Sequence, residues 1–417
     1  MLKNQKTHEG LNVTINTTED CNMRCKYCYE INKCARSIDF DKCKKFIDLI
    51  LSDDDYLDFA NSKDDNLKDI SKRGLVFDFI GGDALMNVDI LDKTLTYLVY
   101  KLNTTNTERA RIWRSTWRCS ISSNGTLFTD PKVKAFLEKW RYNISLGVSI
   151  DGCPAIHDKN RIMAYRGKNG EEVGSMDIIL KDWEWYQRTF PYDGLQTKAT
   201  CARDSIPYLY ESLVFMHEKL GLKYINQNFI MEDTGCTEED YQILREQMQK
   251  CIDYVYEHRT EMYWSMIAPN MLCLNYDRNK DNQDYLHTGH CGSGCMPALS
   301  IDGDIYPCFR WLPHTQQERG VMCVGNVEEG FIHKENFKNV REGAYRCNCT
   351  KDPKCKDCEF EEACAYCIGG CYAEYGDFVR TTHICEITKI LVEYARKYWD
   401  RVGTYKEDLE KIKRRNI

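Results

Sequence analysis

Over its first two-thirds the chain alternates short strand-like segments with helix-like ones. The strand candidates are LNVTINTT (11–18), GLVFDFIGG (74–82), RCSISSNG (118–125), ISLGVSIDG (144–152), LQTKATC (195–201) and KYINQNFIM (223–231). Helical patterns begin near Phe40, Leu91, Pro131, Asp177 and Pro207, the last with proline at a first-turn position. Six strands with five intervening helices predict an α/β fold, an open TIM-like barrel of six units whose active site gathers at the C-terminal strand ends. A longer amphipathic helix is expected from Thr237 to about Arg259, closing the barrel. Two stretches interrupt the alternation. The acidic segment 52–72 reads as a solvated surface, and TERARIWRSTWR (107–118) as a rim loop packed by its own aromatics. No repeat of solenoid period is present.

The expected organisation is a barrel over 1–236, a helical linker over 237–285 and a smaller cysteine-rich domain over 286–417, since 417 residues exceed one typical domain. A hydrophobic content of 42% supports a real core, and no apolar run reaches the length of a membrane span. The N-terminal ten residues lack an apolar h-region, so a soluble cytoplasmic protein is expected. A net charge of −7 argues against general nucleic-acid binding. Cysteine changes the picture most. Twenty-three cysteines without an export signal point to metal rather than disulfides, because the cytosol keeps thiols reduced. Twelve of them fall between Cys291 and Cys385, three lie in CNMRCKYC (21–28), and the remaining eight are scattered.

The three are Cys21, Cys25 and Cys28, directly after the first strand. A closed structural zinc site takes four protein ligands, so three point to an open site. Cys34, past the aromatic pair Tyr27 and Tyr29, reads as a helix-lead residue rather than a fourth ligand. A zinc knuckle or three unrelated core cysteines is the plainer alternative. The spacing C-x3-C-x2-C followed by an aromatic resembles the signature of the radical SAM superfamily. That resemblance implies a four-iron four-sulfur cluster held by Cys21, Cys25 and Cys28, with S-adenosylmethionine chelating the fourth iron. Soft thiolates agree with such a centre.

Further phrases carry the same resemblance. Gly81, Gly82 and Asp83 stand where the family usually has Gly-Gly-Glu. Paired glycines let a ligand approach the backbone, and the acid would receive the methionine amine, although a bare turn explains the same residues. The third strand ends at Asn124 in an Asn-Gly turn and the fourth in SIDG. The family implies that Ser149 and Asp151 wall the ribose and carboxylate, with Tyr27 and Lys198 as further cofactor contacts. His157 and Arg161 read as loop anchors or catalytic groups.

The C-terminal third resembles the SPASM extension of radical SAM enzymes. Cys291 and Cys295 precede SIDGDIYPC, a hairpin with a tight Asp-Gly turn that ends on Cys308. Then come Cys355, Cys358, Cys364, Cys367, Cys371 and Cys385. The resemblance implies two auxiliary clusters, one on Cys291, Cys295, Cys308 and Cys371, the other on Cys355, Cys358, Cys364 and Cys385. One extra cysteine interrupts the family run, so either Cys364 or Cys367 is the ligand. Cys347 and Cys349 remain unassigned, and a pair of zinc ribbons is the competing reading.

What the resemblance implies chemically is reduction of S-adenosylmethionine to a deoxyadenosyl radical that takes hydrogen from a substrate. In sulfatase maturases an aspartate base follows the hairpin cysteine. Here Phe309 occupies that position, which counts against formylglycine formation. The phrases AYCIGGCYAEYGDF and RTTHICEI look like maturases of cysteine-repeat precursor peptides. A thioether or other side-chain crosslink is therefore expected, with a flavodoxin- or ferredoxin-type donor. Leader recognition, if it occurs, is expected from a separate protein or from surfaces such as the two interrupting stretches. A non-enzymatic cysteine-rich zinc protein is the remote alternative.

Overall fold

The structure, a computed structural model, describes residues 11–30, 33–52, 74–191, 197–268, 293–294, 296–317, 320–348, 355, 358–360, 363–364 and 366–403. The strands are β1 (Leu11–Thr18), β2 (Leu75–Gly81), β3 (Arg118–Ser123), β4 (Ile144–Val148), β5 (Ile162–Arg166), β6 (Glu172–Gly174), β7 (Thr197–Cys201), β8 (Tyr224–Phe229), β9 (Tyr263–Trp264), β10 (Ala298–Leu299), β11 (Asp304–Tyr306) and β12 (Gly325–Asn326). The helices are α1 (Phe40–Ser52), α2 (Val88–Thr104), α3 (Glu108–Thr116), α4 (Pro131–Trp140), α5 (Pro154–Asn160), α6 (Met176–Leu180), α7 (Trp183–Thr189), α8 (Leu209–Val214), α9 (Glu238–Glu257), α10 (Glu335–Asn348), α11 (Ile368–Tyr375) and α12 (Cys385–Val402).

The six expected strands, β1, β2, β3, β4, β7 and β8, lie side by side and parallel, as the alternation predicts. Successive residues of a strand face opposite sides. Val13, Ile15, Phe77, Phe79, Ile121, Leu146, Val148, Ala199 and Ile225 are at most 1% exposed and form the core beneath the helices. The alternate positions, Asn12, Thr14, Asn16, Asp78, Ser120, Ser122, Lys198, Asn226 and Asn228, share the concave face. A closed eight-stranded barrel fills that space with branched apolar side chains. Polar lining marks it here as room for a ligand.

The sheet does not stop at the barrel. In the order β12-β11-β10-β1-β2-β3-β4-β7-β8-β9, the hairpin β10–β11 pairs with β1, with Thr14 opposite Ala298 and Ile15 opposite Leu299. Its turn is the expected Asp-Gly, with Gly303 at φ +100. At the other end α12 returns to α9, and Trp399 Nε1 donates to Ile267 O (2.8 Å).

Three expectations change. Residues 107–118 are not a rim loop: α3 runs through them, capped by the Thr107 hydroxyl on Ala110 N (3.2 Å). Trp113 is fully buried, and Arg114 reaches back to Leu102 O (3.0 and 2.8 Å), so aromatic and arginine serve packing of the outer wall. Pro207 lies inside a 3-10 turn, Arg203–Tyr208, and α8 starts only at Leu209. A second hairpin, β5–β6, follows α5 where no strand was expected. Nearly all of the acidic segment 52–72 lies outside the described residues. Among the described residues no helix is long and apolar enough to cross a membrane.

Candidate active site

The cysteine loop leaves the C-terminal end of β1 and is clamped from both sides. On one side its backbone pairs with the chain after α5: Arg24 N to Ile162 O (2.8 Å), Lys26 N to Asn160 O (3.0 Å) and Ala164 N to Asn22 O (2.8 Å). On the other, Gly82 N donates to Thr18 O and Asp83 N to Asp20 O, both at 3.0 Å. A Cβ on Gly82 would sit 2.1 Å from Asp20 O, and one on Gly81, at φ +152, 2.3 Å from Thr18 O. The close approach these glycines permit is therefore made by the cysteine loop itself.

Asp83, expected to receive the methionine amine, is engaged by protein groups. Its side chain, one methylene shorter than glutamate, folds over its own turn onto Leu85 N (3.0 Å) and takes Ser123 Oγ (3.0 Å) and Asn124 N (2.7 Å). It is 2% exposed, and burial raises its pKa despite these donors. With both oxygens engaged, it braces β2 to β3. Asn124 in turn ties β3 to the cysteine loop: its Nδ2 donates to Asn22 Oδ1, and Asn22 Nδ2 to Thr126 Oγ1, each at 2.8 Å.

Asp151, expected to wall the cofactor pocket, is likewise committed to protein. Its carboxylate accepts from Tyr27 Oη, Arg161 Nε (3.0 Å) and Thr200 N (3.1 Å), and it is 1% exposed. The Arg161 guanidinium also lies 5.4 Å from the Tyr27 ring centre. This knot joins the cysteine loop, the β4 end and β7 in one buried charge pair. Ser149, at the same strand end, is half-buried and gives its N–H to Ser123 O (2.9 Å).

His157 anchors that knot, and its partners decide its tautomer. Asp151 N donates to His157 Nδ1 (3.2 Å), so the ring proton sits on Nε2 and goes to Ser175 Oγ (2.9 Å), whose own proton goes to Arg161 O (3.0 Å). Protonation would set an Nδ1–H against the Asp151 N–H. Burial accordingly lowers its pKa to about 4. The unfolded ring titrates near 6.5, so the unfolded chain binds the extra proton first. Stability from this group is complete above pH 6.5 and is lost as pH falls toward 4, by about 2 kcal/mol between pH 7 and pH 5. Nuclear magnetic resonance titration should find the His157 ring neutral at pH 5; a ring charged at pH 6 would refute the assignment.

Cys21 is buried, Cys25 and Cys28 are half-buried, and they lie close enough that Cys25 raises the pKa of Cys21 and Cys28 that of Cys25. Burial first, then neighbouring Asp83 and Cys25, pushes Cys21 up to about 12 although Lys33 opposes it. Cys21 and Cys25 are thiols until a metal takes their protons. Lys33 belongs to a network that sequence reading missed. Its Nζ meets Glu30 (3.3 Å), and the His314 ring stands between Glu30 and Glu19, 3.8 Å from each. Burial works against the Lys33 charge, but Glu30 and Cys28 more than offset it. Glu30 and Lys33 are three apart and unremarkable in sequence, and only the fold brings up His314.

The chemistry of this donor set fits a thiolate-held iron-sulfur cluster: three soft thiols at one loop, with a buried cation beside them. The concave face fits a polar ligand. Thr14 Oγ1 and both amide atoms of Asn16 are buried and have no hydrogen-bond partner among the described residues, which is costly unless something else supplies one. Lys198 projects onto the same face. Confinement first, then Arg161 and Arg310, lowers its pKa, and Asp78 opposes.

In the C-terminal segments, Cys355, Cys358, Cys364 and Cys385 line one cavity of about 190 Å³ together with Arg380 and Thr381. Cys367 lies apart from it. That thiol caps α11 through Gly370 N (3.4 Å) and sits near Arg310, Tyr29 and Cys371. Cys308 follows β11 and takes Arg310 N (3.3 Å), and Cys371 is 2% exposed on α11. Cys291, Cys295 and Cys349 lie outside the described residues, and Cys347 falls in α10. Phe309 faces Tyr29, ring centres 6.4 Å apart, and Arg310 stacks on that ring at 4.4 Å while pairing with Glu232 (2.9 Å).

No family model matches the chain. A cysteine-type anaerobic sulfatase-maturating enzyme of Clostridium novyi is 21% identical over 355 residues, 83% of this chain and 84% of that one. Native anSMEcpe with bound AdoMet and Cp18Cys peptide superposes with a TM-score of 0.63 at 17% identity, over 94% of this chain and 99% of that chain. Streptococcus suis SuiB bound to precursor peptide SuiA gives 0.53 at 17%, over 88% of this chain and 72% of that one. The resemblance read from the cysteine spacing is thus borne out at the level of the fold, which is that of the radical SAM maturases, partial barrel and C-terminal extension together.

Proposed function

We propose that this protein is a radical SAM maturase acting on a ribosomally made, cysteine-containing peptide, in which it forms a thioether or other side-chain crosslink. The observation that carries the reading is the three-thiol loop at the C-terminal end of β1. It is clamped between β2 and the chain after α5, and it opens onto a polar concave face where the Thr14 hydroxyl and the Asn16 side-chain amide have no hydrogen-bond partner among the described residues. Cys21, Cys25 and Cys28 would hold the cluster, and the face of β1 and Lys198 would meet the cofactor. When bound, cluster and S-adenosylmethionine supply a carbon-centred radical able to take hydrogen from an unactivated substrate position. Cys355, Cys358, Cys364 and Cys385 would hold one auxiliary cluster, a role that their shared cavity supports and Cys367 lacks. Cys308 and Cys371, with Cys291 and Cys295, would hold the other.

The residues after Cys308 favour a crosslink over formylglycine. Phe309 and Arg310 present a ring and a guanidinium there, and the nearby carboxylate of Glu232 is occupied by Arg310. The likeness to SuiB, bound to its precursor peptide, supports a peptide substrate. The test is anaerobic incubation of enzyme, S-adenosylmethionine and reductant with a short cysteine-rich peptide encoded beside it, then alkylation and mass spectrometry. Loss of two hydrogens together with one alkylatable thiol per event is the expected result. The same mass loss with every thiol still reactive would exclude a thioether.

A further inference from the structure

We propose that His217, His258 and Glu261 form a binding site for a divalent transition-metal ion of the zinc type on the outer wall of the barrel. One ring nitrogen from each histidine and one carboxylate oxygen lie within 4.8 Å of one another, a spacing that small side-chain rotations close until each atom stands at the metal–ligand distance of about 2.0–2.2 Å that zinc prefers. Two imidazoles and a carboxylate, with no thiol, select zinc and its neighbours rather than an iron-sulfur centre, and leave a position for water.

The site joins two parts of the fold. His217 stands in a single π turn, Phe215–Lys219, after α8 and before β8. His258 caps the C-terminal end of α9, with Glu261 in the turn after it. Both positions precede the N-terminal ends of parallel strands, β8 and β9, so the site lies on the rim opposite the cysteine loop. Single π turns are uncommon and concentrate at functional positions.

The hydrogen bonding presents His217 as a ligand. The Tyr254 hydroxyl lies 2.7 Å from His217 Nδ1 and donates to Glu218 Oε1 (3.1 Å). Its one proton is spent on a carboxylate that can only accept, so the Tyr254 oxygen takes the Nδ1–H of His217. The Nε2 lone pair is then the bare nitrogen, held in orientation by a second layer of the kind that metal-bound histidines carry. The His217 and His258 rings stand 5.1 Å apart at 67°, and Tyr254 packs 4.4 Å from His258. Glu261, 62% exposed at its side chain, stands on the solvent side of the site.

The test uses holoprotein with its iron-sulfur sites filled, titrated anaerobically with Co2+. One equivalent should bind with weak d–d absorption and no thiolate charge-transfer band. His217→Asn keeps an N–H for Tyr254 but removes the second nitrogen, and it should abolish that equivalent, as should His258→Ala. Tyr254→Phe should weaken it about 10–100-fold. His383→Ala, at a histidine paired with Glu374 elsewhere, should leave binding unchanged. Iron content and circular dichroism equal to the parent protein show that a variant is folded; should His217→Asn fail that criterion, exposed Glu261→Gln serves in its place. Unchanged binding in the folded variants, or a thiolate charge-transfer band, overturns the proposal.

Discussion

Replacing Cys21, Cys25 and Cys28 together by alanine is expected to abolish cleavage of S-adenosylmethionine while the protein retains about eight of about twelve irons, the share of two four-iron clusters out of three. The separation comes from where the thiols sit. The three belong to one loop after β1, whereas Cys355, Cys358, Cys364 and Cys385 line a cavity formed by C-terminal segments, and Cys308 and Cys371 follow β11 and lie on α11. The loop is tied to the rest of the fold through backbone groups of Arg24, Lys26 and Asp83, which the alanine variant keeps. Metal analysis and quantification of 5′-deoxyadenosine check both halves. Cleavage surviving in the triple variant would remove the central assignment, and loss of all iron would mean that the sites assemble as one.

Asp151→Ala is expected to cost about 3–5 kcal/mol of stability, because it leaves the Arg161 guanidinium buried without its counter-charge. Arg161 is 8% exposed and Asp151 1%, so solvent cannot compensate. The same change frees Tyr27 from its acceptor and strips Thr200 N of its partner, loosening the loop between Cys25 and Cys28. Chemical denaturation followed by tryptophan fluorescence should show the loss, and iron content should fall with it. Asp151→Asn, which still accepts from Arg161, should cost less. If both variants unfold as the parent does, the knot is not what secures the loop.

How far the sequence led depends on the range of the interactions concerned. β1, β2, β3, β4, β7 and β8 were legible because each carries its own alternation, and α4 because Asp130 and Pro131 mark its start. α3 was misread: its buried side, Ala110 and Trp113, is narrow and the rest is polar, so pattern alone resembles a loop. The β5–β6 hairpin carries a local turn, Gly170 at φ +84 after Asn169, that could have been read. The cysteine set was plain from spacing. The engagement of Asp83 and Asp151 by protein was not, since Ser123, Tyr27, Arg161 and Thr200 come from separate strands and loops. The proposal of Cys364 over Cys367 also draws on three dimensions, because spacing treats the two alike.

The parallel pairing of β10 with β1 sets a timetable for biosynthesis. Thr14 and Ala298 are neighbours in the sheet but about 280 residues apart in the chain. At 5–20 residues per second the ribosome takes about 15 to 60 s to deliver the second after the first. Throughout that interval one flank of β1 is a bare strand edge, open to pairing with the wrong partner. The strand that leads into the cysteine loop is thus made long before the partner that covers its edge, and the cysteine loop waits beside an open edge until β10 emerges.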